Sequence, residues 1–248
     1  MQHHPVVSRE EWLVARKALL LREKDATHLR DKINAERLAL PWVKVDKAYV
    51  FDTPSGEKTL AELFAGRSQL LTYHFMLAPG WDAGCTGCSF LADHFDGALP
   101  HLEHHDVTLT AVSRAPLPEI EAYKARMGWR FPWASSFRSD FNHDFHVSFS
   151  EAELGTGEVF YNFTKTPAKQ AAPELPGLSA FVRHEAGQVF HTYSSYARGP
   201  EELIGTLMIL DRAPLGRNES PTMNFVRRHD EYEPAPQAKA CCAAPAAA

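Results

Sequence analysis

The chain of 248 residues lacks any apolar run near the roughly 20 residues that a membrane-spanning helix needs. Its first five residues, from Met1 to Pro5, are polar and carry no apolar signal core, so we do not expect a secreted protein. Lys and Arg form no basic stripe, and the formal net charge is −5. Neither nucleic acid nor a membrane is therefore an expected partner.

Cysteine is scarce, and its positions are informative. The four cysteines form two close pairs, Cys85 with Cys88 and Cys241 with Cys242. A secreted disulfide framework would spread its cysteines along the chain, so this spacing predicts a reducing, cytoplasmic compartment. The sequence also lacks a Gly-x-Gly-x-x-Gly run, and we predict no nucleotide cofactor.

The Cys85–Cys88 pair is the most informative feature that is present. It follows an apolar stretch over 69–77, which predicts a buried strand, and precedes a helical pattern over 90–102. Unpaired N–H groups and the helix dipole favour a negative charge at a helix start. We therefore predict a redox pair in which Cys85 is the attacking thiolate and Cys88, one turn deeper, is the resolving thiol.

The remaining pattern alternates strands and helices, and the fold class follows from it. Ser8 and Glu11 have the spacing of a capping box, and two helices are expected between them and Pro41. Further strands are expected over 107–112, 178–183 and 188–193, and further helices over 118–127 and 200–210. Strands that alternate with helices and finish in a hairpin predict an α/β protein with a mixed sheet and helices on both faces.

Three segments are predicted from these patterns. Residues 1–45 are expected to form an N-terminal helical extension, and residues 46–232 the main α/β domain. Within that domain the aromatic-rich stretch 129–163 is interpreted as an insertion that wraps the active face. The Ala/Pro-rich residues 233–248 have no core-forming pattern and are predicted to be disordered.

Three motifs resemble the DUF899 family, a bacterial branch of the thioredoxin-like superfamily. They are Pro79-Gly80-Trp81-Asp82-Ala83-Gly84-Cys85-Thr86-Gly87-Cys88-Ser89-Phe90, the run from Ser139 to Phe149, and the run from Val189 to Gly199. The resemblance spans about residues 8–231. It implies a thioredoxin-like fold and a dithiol–disulfide oxidoreductase role, with substrate unspecified.

The resemblance also directs attention to residues around the thiols. Thioredoxins carry a cis-proline before the first strand of the terminal hairpin, and counting back from Gly187 assigns that position to Ser179. Substrate-binding roles are accordingly expected for Trp81, Thr86, Ser179 and Arg198. Asp82 stands where the peroxiredoxin loop has Thr, which argues against a conventional peroxidase site. For Arg198 a structural ion pair is the favoured alternative.

Two other interpretations of the chain stay open. His101, His105, His143 or His146 could complete a copper or zinc site with the thiols, although helix-end histidines more often complement the helix dipole. A small-molecule binding module with incidental thiols is the second alternative. Cys241 and Cys242 could act as a thiol relay, or have no role.

Thiol–disulfide exchange is the function that the sequence favours. The expected substrate is a disulfide-containing protein or small molecule, and the expected reductant is of the thioredoxin or glutathione type. No metal or other cofactor is required for this chemistry. The sequence leaves open whether the chain forms a homo-oligomer.

Overall fold

The computed structural model describes residues 4–184, 186–220 and 222–233. The helices are α1 (Arg9–Leu38), α2 (Thr86–Ala92), α3 (Phe95–His104), α4 (Leu117–Arg126), α5 (Phe141–Asp144), α6 (Glu151–Gly155) and α7 (Gly205–Leu210). The strands are β1 (Val43–Lys44), β2 (Val50–Thr53), β3 (Gly56–Thr59), β4 (Gln69–His74), β5 (Val107–Ser113), β6 (Trp133–Ser135), β7 (Glu158–Tyr161), β8 (Thr164–Pro167), β9 (Gly177–Arg183) and β10 (Val189–Tyr196). None of these helices is both long and apolar enough to cross a membrane.

Helix α1 begins at the predicted capping box. The Glu11 N–H donates to Ser8 Oγ at 3.2 Å, and the Ser8 N–H donates to Glu11 Oε2 at 2.9 Å. The expectation of two helices before Pro41 is wrong, because one helix runs for 30 residues. Neither glycine nor proline occurs between its ends, so nothing in the sequence breaks the hydrogen-bond ladder.

Eight strands form one mixed sheet in the order β1-β10-β9-β4-β5-β6-β2-β3. Strands β4 and β5 are parallel, as a helical crossover requires. Strand β9 pairs antiparallel with β4 and also with β10, its hairpin partner. The parallel pair followed by an antiparallel hairpin confirms the predicted thioredoxin-like sheet.

The sheet separates two apolar cores because neighbouring residues of a strand face opposite sides. In β4, Tyr73 belongs to the core that also holds Cys88 and residues of α2, α3, α4 and α7. Leu70 belongs to the other core, which holds Phe64 and Phe141 of α5. Helices therefore cover both faces, as the strand and helix order predicts.

The aromatic-rich stretch 129–163 is not a single insertion. Trp129, Phe131 and Trp133 are buried in the core around Cys88, and β6 pairs with β5 within the central sheet. A separate small cluster forms further along, with Val159 and Tyr161 of the β7–β8 hairpin among its members. The expected insertion thus begins after β6. The prediction placed its start too early because aromatic density alone cannot distinguish core residues from surface residues.

The chain divides into two compact units, residues 1–43 and 44–248. No residue of α1 is buried. Of the predicted tail, residues 234–248, with Cys241 and Cys242, lie outside the described residues.

Candidate active site

The thiol loop leaves the central sheet at the carboxyl end of β4. The Phe75 N–H donates to Val112 O at 2.9 Å, so the chain follows β5 for one more residue. The Cys85 N–H then donates to Met76 O at 3.0 Å, which returns the loop to the end of the strand. Cys85 is the N-cap of α2, and the helix begins at Thr86. The sequence predicted this position for Cys85.

Gly84 lets the loop pass close to the core. A Cβ atom at this position would lie 2.8 Å from Tyr123 Cε1 and would collide with the Phe75 ring. No side chain fits there without movement of packed aromatic rings. Because Gly84 has no side chain, the backbone can turn at this residue into the start of α2, next to Cys85.

Cys85 carries the more reactive sulfur of the pair. Its side chain is partly exposed, and it is a free thiol. The pKa of Cys85 is lowered from 9.0 to about 6, chiefly by a hydrogen bond from the Cys88 thiol, although burial opposes the shift. The backbone N–H groups of Cys88 and Gly87 and the positive charge of Arg228 contribute to the same lowering. At neutral pH the sulfur is therefore mostly a thiolate.

Cys88 is the protonated partner. It is 2% exposed, and burial raises its pKa well above 9.0. The nearby Cys85 sulfur raises the pKa further, whereas the Tyr73 hydroxyl and the Met76 backbone oppose the shift by hydrogen bonding. Cys85 is thus an accessible thiolate, and Cys88 is a buried thiol that can donate a proton.

Residues 225–231, near the carboxyl end of the described chain, contact the thiol loop and α2, and we call this segment the strap. Val226 is buried in the core around Cys88. Arg228 donates to Gly84 O from Nε at 3.0 Å and from Nη2 at 2.6 Å. Glu231 accepts from Arg228 Nη1 at 2.7 Å and thereby fixes the guanidinium. The strap thus holds a positive charge beside Cys85.

The hydroxyl groups of Ser89 and Tyr123 connect the charge of Arg228 to α2. Ser89 Oγ donates to Cys85 O at 2.8 Å and lies 2.8 Å from the Tyr123 hydroxyl. The positive charge of Arg228 acts on Tyr123, although burial dominates and raises the pKa of Tyr123. Tyr123 therefore stays protonated and serves as a fixed dipole beneath the loop.

Two of the predicted substrate-binding residues, Trp81 and Thr86, belong to the segment that carries the thiols. Trp81 is half-buried and packs against the core that contains Cys88. Thr86 is the first residue of α2, next to Cys85. Their substrate-binding roles stay a prediction.

The structure corrects the substrate-binding position predicted for Ser179. It is fully buried, with its Oγ 2.9 Å from His74 Nε2 and 2.8 Å from Ser194 Oγ. Its neighbour Leu178 faces the Cys88 core, so Ser179 points to the opposite side of the sheet. Strand β9 begins at Gly177, which makes Pro176 the residue before the hairpin. The count from the turn misassigned the position.

Arg198 is not a free cation, because it forms an ion pair with Glu201. Its Nε donates to Glu201 Oε2 at 2.6 Å, and the side chain is largely exposed. This is the structural ion pair that the sequence offered as the alternative. Such an exposed pair contributes little to stability.

The candidate metal site does not assemble. No group of three or more His, Cys, Asp and Glu side chains able to hold a metal ion exists in the described part of the chain. The four histidines named above are distributed between the end of α3 and the region around α5. Among the described residues, Cys85 and Cys88 therefore have no group of further ligands of the kind that a zinc or copper site needs.

Sequence reasoning missed Arg228, Tyr73 and Tyr123. Arg228 is separated from Gly84 by 144 positions, so no local spacing could reveal the contact. Tyr73 occupied a predicted buried strand, where an aromatic residue is an ordinary core residue. Only the strand register and the strap position bring these groups to the thiols.

Fold and site together define a thioredoxin-like protein with a thiol pair at the start of a helix that follows a central strand. The chain belongs to the DUF899 family, because the profile described as "Bacterial protein of unknown function (DUF899)" matches residues 1–232. No curated protein matches the chain.

Several solved structures are similar to this chain at low identity. Peroxidoxin BcpB from Mycobacterium tuberculosis is 14% identical, with a TM-score of 0.43 over 69% of this chain and 97% of that one. A cysteine-to-serine mutant of PrxQ from Xylella fastidiosa is 17% identical, with a TM-score of 0.41 over 65% and 88%. The mitochondrial 2-Cys peroxiredoxin from Plasmodium falciparum is 14% identical, with a TM-score of 0.39 over 72% and 96%. No site residue is transferred from them.

Proposed function

We propose that this protein is a thiol–disulfide oxidoreductase that uses Cys85 and Cys88. The observation that supports the proposal most strongly is that the pKa values of the two thiols shift in opposite directions. The pKa of the partly exposed Cys85 falls to about 6, and that of the buried Cys88 rises. A nucleophile and a resolving thiol require this division of protonation states.

In the first step the Cys85 thiolate attacks one sulfur of a substrate disulfide. A bond forms between Cys85 Sγ and that sulfur, the substrate S–S bond breaks, and the other substrate sulfur leaves as a thiolate. The N–H groups of Cys88 and Gly87 stabilise the Cys85 thiolate before attack. Trp81 and Thr86 are the proposed contacts for the substrate.

In the second step Cys88 resolves the mixed disulfide. Cys88 gives up its proton and attacks Cys85 Sγ, so the Cys85–Cys88 bond forms and the second substrate thiolate leaves. The pair has then lost two electrons and one proton. The two substrate sulfurs have gained the two electrons, Cys88 has supplied one proton, and a second proton comes from water where the remaining substrate thiolate is protonated. An external dithiol or glutathione restores the reduced pair by the reverse exchange.

A disulfide-reductase assay with single variants tests the proposal. We expect Cys85→Ser to abolish turnover. Cys88→Ser retains the attacking thiolate but lacks the resolving thiol, so it should accumulate mixed disulfides. Turnover that is equal in both variants and the unaltered protein would reject the assignment. A hydrogen peroxide arm in the same assay separates disulfide from peroxide reduction.

Metal analysis of protein purified under reducing conditions addresses the metal-binding alternative. Stoichiometric copper or zinc that disappears in Cys85→Ser would support that alternative. We expect no stoichiometric metal, because Cys85 and Cys88 have no third ligand within the described residues.

A further inference from the structure

A cavity that does not involve the thiols lies where the central sheet divides. Strand β5 pairs with β6 only along Ala111–Ser113, and β6 meets β2 only where Ser135 stands opposite Asp52. The sheet is therefore open between the first half of β5 and the β2–β3 hairpin. A cavity of about 350 Å³ occupies this opening, with residues of β3, β5, β6 and α4 in its lining.

The cavity has a surplus of positive charge. Lys58 of β3 and Lys124 of α4 line it. Across residues 4–184, 186–220 and 222–233, neither ammonium group forms an ion pair. Glu62 is the acidic residue in the lining; its carboxylate accepts from the Thr59 N–H at 2.7 Å and hydroxyl at 2.8 Å, and it also feels the charge of Lys58. Two lysines and one carboxylate leave the lining with a positive excess. An anion would therefore be attracted to the two lysines.

A hydroxyl in the lining also lacks a partner. Thr110 is 2% exposed and lines the cavity. The neighbouring Thr108 hydroxyl donates to Phe64 O at 2.7 Å, whereas the Thr110 hydroxyl has no hydrogen-bond partner in the described part of the chain. The Thr110 oxygen is not one of the fully enclosed side-chain atoms without a partner in the described chain, so it is open to the cavity. An oxygen of a bound molecule would provide the missing acceptor.

The remaining wall is apolar. Leu63, Pro132, Trp133 and Ala134 contribute it, and Trp133 belongs to the packed core. A bare inorganic anion would leave this surface uncovered. The volume lies at the lower end of the range for small-molecule sites, so a ligand about the size of a single ring fits.

We propose that this cavity binds a small organic carboxylate. The carboxylate lies between Lys58 and Lys124 and accepts from Thr110, and the apolar body lies against Trp133. The inference does not depend on the thiol chemistry, because Cys85 and Cys88 take no part in the lining.

Calorimetric titration of the full chain with sodium benzoate tests the proposal. Benzoate should bind saturably, and the Lys58→Ala/Lys124→Ala double variant should weaken binding at least about tenfold by removing both charges. Thr110→Val, which keeps the shape but removes the hydroxyl, should weaken it about threefold. Lys17→Ala/Lys169→Ala is the matched control, since both lysines are exposed and outside the cavity, and it should bind normally.

Two further ligands separate charge from apolar contact in the unaltered protein. Benzyl alcohol has the same ring without the charge, and inorganic phosphate has charge without the ring. Both should bind more weakly than benzoate. Equal binding of benzyl alcohol, equal binding by the lysine double variant, or no saturable benzoate binding below about 10 mM would overturn the proposal. The ligand comparison decides even where a variant fails to fold.

Discussion

At the scale of single residues, the reactivity of the thiol pair depends on groups from three distant parts of the chain. Cys85 receives hydrogen bonds from its own helix, Tyr73 comes from β4, and Arg228 comes from the strap. The local spacing of the cysteines predicts the pair, and the attacking and resolving roles of the two thiols stay a prediction. The charge that Arg228 supplies could not be predicted, because it depends on tertiary packing.

Removal of the Arg228 charge should make Cys85 less acidic. We expect Arg228→Gln to raise the pKa of Cys85 above about 6, since a positive charge near the thiolate is lost. Alkylation by iodoacetamide at pH 6 should slow by roughly twofold, with the pH midpoint moved upward. Arg228→Lys keeps a charge and should lie between the two proteins. Unchanged midpoints in both variants would contradict the role of Arg228.

Replacement of Gly84 should disturb packing rather than charge. Gly84→Ala places a methyl group against the Phe75 and Tyr123 rings, so we expect the free energy of unfolding to fall by about 1–3 kcal/mol. Gly97→Ala is the control, because a Cβ at this position in α3 has no atom within 4 Å. It should be neutral or stabilising by up to about 1 kcal/mol. Urea titrations measure both, and equal effects would contradict the close-packing argument.

At the scale of elements, a polar chain crosses three strands on the side of the sheet opposite the thiols. His74 of β4 contacts Ser179 of β9, which contacts Ser194 of β10, and Ser194 Oγ lies 2.7 Å from His191 Nε2. His74 Nδ1 is buried with no partner within the described chain. Burial lowers the pKa of His74 from 6.5 to about 3, so the ring is neutral in the folded protein.

The neutral His74 should make stability depend on pH. In the unfolded chain His74 takes a proton below pH 6.5, whereas in the folded chain it does so only near pH 3. Its contribution is thus fully present above pH 6.5 and is lost as the pH falls toward 3, with a slope of up to about 1.4 kcal/mol per pH unit. His74→Gln should show a shallower slope between pH 6.5 and 5 in urea titrations. Parallel slopes would contradict the assignment.

The positions of the strands were predicted more accurately than the boundaries of the helices. Strands β4 and β5 and the β9–β10 hairpin lie near their predicted positions. Predicted helix boundaries were poorer: the helix expected over 90–102 is two helices, α2 and α3, separated at Asp93–His94. Ser179 was misplaced because the count from the turn did not fix where β9 begins, and neighbouring residues of a strand face opposite sides of the sheet.

At the scale of the whole molecule, all three clusters of buried residues lie between residues 45 and 226. The sequence was sufficient for the fold class, because strand and helix order restricts the topology strongly. It was insufficient for the stretch 129–163, where aromatic residues serve the core, a surface hairpin and exposed positions alike.

Deletion of residues 1–41 should therefore leave the α/β unit folded. No residue of α1 is buried, so we expect a cooperative unfolding transition with a free energy within about 1 kcal/mol of the full chain. The pKa of Cys85 should be unchanged, because its named neighbours all lie after residue 70. Loss of cooperative unfolding, measured by circular dichroism, would show that the first segment is part of the folded unit.

The most direct test of the proposed mechanism counts the thiolates released from an aromatic disulfide reagent, followed by intact mass. The Cys241→Ser/Cys242→Ser background restricts the count to the proposed pair. Attack and resolution predict two released thiolates and no retained adduct with both thiols present. One released thiolate with a retained adduct is predicted for Cys88→Ser, and none for Cys85→Ser. Rapid adduct formation at Cys88 in Cys85→Ser, or a stable adduct on Cys85 beside an intact Cys88, would contradict the mechanism.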